Sequence, residues 1–129
     1  MKKEELRRKI IEKDFLSKVV IDNGRWEWNK DGSVDIIGKL YLTGSKHIEK
    51  IPVKIRKLSG NFFSRDSGIT TLENCPDFIA GDFCISYNNF TNTVYFPKKI
   101  IGGVYDYGTI YTEEIVKKMC TVIGEIKTT

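Results

Sequence analysis

A chain of 129 residues, 40% hydrophobic and 29% charged, is sized and balanced for one globular domain with its own core. Its net charge of +4 is mild and gathers in the opening MKKEELRRKIIEK, well short of the strong basic footprint of a nucleic-acid binder. No run approaches the ~20 apolar residues of a membrane span. No signal-peptide core precedes the fold, and the three cysteines (Cys75, Cys84, Cys120) lack a CxxC pairing, so a cytoplasmic protein with free thiols is expected.

Residues 3 to about 13 read as a first helix of good helix formers, with Leu6 and Ile10 on one row and Ile11 and Phe15 on another. Such a helix is placed to cover one open end of the fold. Leu16 to Ile21 is an apolar run ending in a turn at Asp22-Asn23-Gly24. Residues 25 to 37 form a hairpin: Trp26 and Trp28 alternate with Arg25 and Glu27, Asn29-Lys30-Asp31-Gly32 turns, and Val34, Ile36 and Ile37 return. Alternation puts both tryptophans on one face, where packing against the core is favoured over ligand stacking.

From Gly60 the sequence repeats. Gly60, Gly81 and Gly102 stand 21 residues apart, as do Pro76 and Pro97, and Phe62, Phe83 and Val104. A fixed short period marks stacked supersecondary units. Residues 37–58 make a divergent first unit. The later units carry Phe62, Ser64, Ser67 and Ile69; then Phe83, Ile85, Asn88 and Phe90; then Val104, Asp106, Thr109 and Tyr111. The spacing is L-x-x-L-x-L-x-x-N-x-L, in which L-x-L is a short strand facing inward. The Asn amide then bonds backbone groups left open where the chain leaves the strand. Asn88 alone supplies that amide; Ser45, Ser67 and Thr109 stand in more weakly, and Ser64 and Asp106 take inward positions normally apolar. Strands are expected near 39–42, 61–64, 82–85 and 103–106, stacked in one small parallel sheet. A closing helix is expected over 112–123, with Thr112 as N-cap and Gly124 as its stop.

The order RWEWNKDGSVDIIGKLYL, KIPVKIRKLSGNFF, GITTLENCPDFIAGDFCISYNNFT and FPKKIIGGVYDYG resembles a family of short leucine-rich-repeat-like proteins encoded by tailed bacteriophages and prophages. Gly68 to Phe83 carries the resemblance most closely. Ser67 replaces the family's Asn, and Asn92-Thr93-Val94 departs from its second segment. The resemblance implies a phage origin and a repeat fold, with no general activity attached. The expected architecture is α+β, one domain over 1–129: a short irregular leucine-rich-repeat-like solenoid with a small parallel sheet. A helix and hairpin cap it over 1–36, the repeats span 37–111 and a helix caps it over 112–129.

The catalytic inventory is thin. His47 is the single histidine, so a two-histidine metal site has no ligands. A cysteine nucleophile would need His47 to reach Cys75 or Cys84. Gly102-Gly103 lacks the spacing of a phosphate loop, and Asp66, Asp77, Asp82 and Asp106 are scattered through the repeats. Asn89-Phe90-Thr91 matches a glycosylation sequon by chance. No catalytic residue, metal or cofactor is assigned.

Outward strand positions offer more. Stacking aligns Tyr41, Phe63, Cys84 and Tyr105 in one row; Thr43, Arg65, Ser86 and Tyr107 in a second; Lys39, Asn61, Asp82 and Gly103 in a third. The first row is mostly aromatic, although it should face solvent, and such rows mark contact surfaces. Covering of that face by a terminal helix or the tryptophan hairpin is the competing expectation. The expected site is Tyr41, Phe63, Arg65, Tyr105 and Tyr107. The expected function is a non-enzymatic, phage-encoded module binding a host protein in the bacterial cytoplasm, such as an inhibitor of a defence system (an anti-CRISPR, for example). The alternative is a small-ligand or nucleotide binder, in which these aromatics stack a base and Arg65, Lys39 and Lys46 pair a phosphate.

Overall fold

The repeated glycines are steric necessities of a stacked corner. In the computed structural model, which describes residues 2–42 and 48–128, Gly60, Gly81, Gly102 and Gly124 lie one above another where the chain bends between two strands, stacked on Gly38 inside a longer one. A Cβ on Gly81 would stand 2.8 Å from the Gly60 carbonyl, and one on Gly124 would stand 2.6 Å from the Gly102 carbonyl. No side chain fits at that approach.

The elements run α1 (Lys3–Leu16), β1 (Val20–Trp28), β2 (Val34–Tyr41), β3 (Ile55–Leu58), β4 (Phe62–Phe63), β5 (Phe78–Ile79), β6 (Phe83–Cys84), β7 (Lys99–Ile100), β8 (Val104–Tyr105), α2 (Glu113–Met119), β9 (Thr121–Val122) and β10 (Ile126–Lys127). Strand order is β10-β8-β6-β4-β2-β3-β5-β7-β9, with β1 antiparallel on β2 and the other pairs parallel. The long β2 serves both arms: Val34 to Ile36 pair with β3, and Leu40 and Tyr41 pair with β4. Each later turn adds one strand to each arm. The result is a parallel β-solenoid of about four turns with two helices.

Two inner rows meet to form the core. Leu40, Phe62, Phe83 and Val104 are fully buried along one arm, with Ile126 continuing the row; Ile36, Leu58, Ile79 and Ile100 are buried along the other. Phe62 and Phe83 lie 5.0 Å apart, and Phe96 meets Phe83 edge-on at 5.3 Å. Ser64 and Asp106 are buried at inward positions, as the spacing predicts. The Asn88 amide donates to the Ser64 carbonyl at 2.6 Å and the Ile85 carbonyl at 2.9 Å, and accepts from the Ser67 amide at 3.0 Å. It bonds neighbouring turns as its place in the repeat requires.

Several expectations need correction. Each turn carries two strands, not one, so the sheet has a second arm that the repeat spacing does not reveal. The helix expected over 112–123 ends at Met119, although Thr112 does cap it, accepting from Ile115 N at 3.2 Å. Residues 121–127 then form a further turn: Val122 and Ile126 extend the inner rows, and Gly124 takes the corner instead of stopping a helix. Strands therefore occupy the end assigned to a C-terminal helical cap. The expected turn at Asp22-Asn23-Gly24 lies inside β1 as an irregularity between Asp22 and Arg25. There Gly24 passes too close to the Ile37 carbonyl to carry a side chain. In α1 only Phe15 is buried and Ile11 packs beside the core, while Leu6 and Ile10 stay exposed. Phe15 meets Trp26 at 5.4 Å, and the Arg8 guanidinium lies 5.2 Å from the Trp28 ring centre.

Candidate functional site

Period-2 alternation in β4, β6 and β8 turns Phe63, Cys84 and Tyr105 outward wherever Phe62, Phe83 and Val104 turn in. The register aligns Tyr41, Phe63, Cys84, Tyr105 and Lys127 across five strands. The first four are all half-buried, so each keeps part of its surface in solvent. Tyr41 and Phe63 stack at 4.8 Å with their planes 21° apart. The Lys127 ammonium stands 5.7 Å from the Tyr105 ring centre and closes the row at its other end. The tryptophan hairpin does not fold over this face; its rings pack with Phe15 and Arg8 instead.

The second row is broken. Thr43 and Lys46, with His47, lie outside the described residues. Arg65 is exposed, but Ser86 is buried and its hydroxyl accepts the Tyr107 amide at 3.1 Å. Tyr107 is half-buried at the rim. The third row does structural work: the Asn61 side-chain oxygen accepts from the Asp82 amide at 2.7 Å, and an Asp82 oxygen accepts from the Gly103 amide at 2.8 Å. These side chains tie turn to turn.

Tyr87 is the residue the sequence does not disclose. It holds φ +59° and is 51% exposed. Its ring carries the Arg65 guanidinium at 5.0 Å on the outer surface and lies close over Gly108, where a Cβ would meet it at 2.6 Å. Asp66 (φ +47°) and Gly108 (φ +66°) occupy the same place in the neighbouring turns, so the bend imposes this backbone on whatever residue stands there. The structure thus brings Arg65 onto Tyr87, while Phe63 stacks on Tyr41 in the row that also contains Tyr105.

The other arm presents Asp35, Lys57, Phe78, Lys99 and Thr121 in register. Its acids are engaged: Asp35 accepts from Arg56 Nε at 2.9 Å, which holds its carboxyl below the ordinary range, and Asp77 pairs with Lys54 at 2.7 Å.

The thiols are poorly placed for nucleophilic work. Burial pushes Cys75 up to about 12, and Cys84 and Cys120 up to about 11, so thiolate is scarce near neutrality. Among the described residues no three His, Cys, Asp or Glu side chains converge on a metal-sized site, and no helix is long and apolar enough to cross a membrane. No protein-family model, curated protein or solved structure matches this chain.

Proposed function

We propose that this chain is a non-enzymatic, phage-encoded binding module of a leucine-rich-repeat-like kind, acting on a host protein in the bacterial cytoplasm. Inhibition of a defence system, as by an anti-CRISPR, is the role that fits such an origin. The observation that carries this reading is the half-exposed aromatic row Tyr41, Phe63 and Tyr105, rimmed by Arg65, Tyr87 and Tyr107. Aromatic side chains and arginine dominate binding hot spots because they bury much area while freezing few torsions. A flat row built on stacked strands suits a protein surface better than a small molecule, which prefers concavity. The test is capture from bacterial lysate by the wild type beside Phe63→Ala. A host protein retained by the first and lost by the second supports the reading; equal capture by both removes the face from it.

The Arg65–Tyr87 stack favours one second reading, a nucleotide ligand whose phosphate meets the guanidinium. A thermal-shift screen with nucleotides tests it, because a ligand that binds only the folded state raises the melting temperature.

A further inference from the structure

The two ends of the solenoid are finished differently. At one end the outermost strand is β1, whose pairing is broken between Asp22 and Arg25 and whose Trp26 is packed by Phe15 of α1. Bulges and covering elements are the usual means of blunting a sheet edge. At the other end the outermost strands are β9 and β10, and among the described residues nothing pairs with their outer sides. Val104 and Asp106 donate to the Glu125 and Lys127 carbonyls, so by alternation the N–H and C=O of Ile126 point away from the solenoid. The residue before the corner glycine also changes along the stack. It is Ile37 at the first corner, Ser59 and Ala80 in the middle turns, and Ile101 and Ile123 in the last two, 39% and 62% exposed. Between α2 and this last turn lies a cleft of about 580 Å³ lined by Glu113, Lys117, Cys120, Val122 and Ile126 among others.

We propose that this edge is a self-association surface, and that β10 pairs antiparallel with β10 of a second copy about a two-fold axis at Ile126. The choice of occupant rests on the charge pattern. A lone edge lysine would guard against pairing, but here Glu125 and Lys127 flank Ile126 on one side of the strand, in an exposed ion pair with each other at 4.0 Å that pairing between copies would exchange for two. Antiparallel pairing centred on Ile126 sets Glu125 of each copy opposite Lys127 of the other, giving two ion pairs from one self-complementary triplet. The outward N–H and C=O of Ile126 then exchange two hydrogen bonds with their counterparts, as directly opposed residues do in an antiparallel ladder. The two copies share one continuous arm, with the aromatic rows on the same face.

Sedimentation velocity over low to high micromolar concentration tests this on the full chain. The wild type should show a concentration-dependent dimer. Glu125→Lys and, separately, Lys127→Glu place like charges opposite and should weaken the dimer by about tenfold or more. The double reversal Glu125→Lys/Lys127→Glu restores opposite pairs and should recover it, with all four proteins melting alike at concentrations too low for the dimer to form. A wild type that stays monomeric, single reversals that dimerise undiminished, or a double reversal that fails to recover the dimer each overturns the proposal.

Discussion

Tyr87 and Asp106 show what single positions cost this fold. A left-handed backbone costs a bulky L-residue about 1–2 kcal/mol, and Tyr87 bears it at φ +59° on an exposed bend. The bend imposes that backbone at Asp66 and Gly108 as well, so a glycine relieves it without altering the turn. Tyr87→Gly should therefore leave the melting temperature unchanged or slightly raised, while binding weakens. A fall of many degrees would mean that the ring's contacts with Arg65 and Gly108 outweigh the backbone relief. Asp106 bears a different cost. Its carboxyl is fully buried without a well-formed hydrogen bond among the described residues, and Thr128 beside it only partly offsets the desolvation that pushes its pKa up. A carboxyl with a raised folded-state pKa favours folding below its unfolded value near 4 and loses that advantage as pH rises through the folded value. Asp106→Asn, neutral at every pH, should therefore melt higher than wild type at pH 7, and the gap should shrink as pH falls toward 4. A gap independent of pH would show that the carboxyl's charge is not the cost.

At the scale of elements, stability rests on the inner rows. Phe83 is central, touching Phe62 and Phe96. Phe83→Ala should cost about 3–5 kcal/mol, a large share of the stability of a domain in the usual ~5–15 kcal/mol range; chemical denaturation reads this directly, and an unchanged midpoint would contradict the packing. That row was legible because its constraints are spelled in residues: the corner admits only glycine, and the inward place wants Phe or Val. The second arm was not legible. Phe78–Ile79 and Lys99–Ile100 are two residues long, too short for alternation to show. Ile115, Met119 and Ile123 are spaced like a helical row, which hid the strands after Met119; the stacking of Gly124 on Gly102 overrides that local pattern. The outward aromatic row followed from period 2 once the strands were placed. Tyr87 did not, because a tyrosine gives no sign of a left-handed backbone, which glycine and, more weakly, aspartate signal at Gly108 and Asp66 in the turns beside it.

For the molecule as a whole, inner and outer rows divide the labour. Phe62 and Val104 hold the turns together, while Phe63 and Tyr105 next to them on the same strands keep surface in solvent. Truncating an inner ring should therefore destabilise the chain strongly, and truncating an outer ring should leave its stability nearly unchanged. The most direct measurement is the affinity of the captured host protein for Phe63→Ala and Tyr105→Ala, with each variant's melting temperature taken alongside. A binding face predicts a loss of about 2 kcal/mol or more, roughly thirtyfold, at nearly unchanged melting temperature. Variants that melt early, or that bind as tightly as wild type, would contradict it.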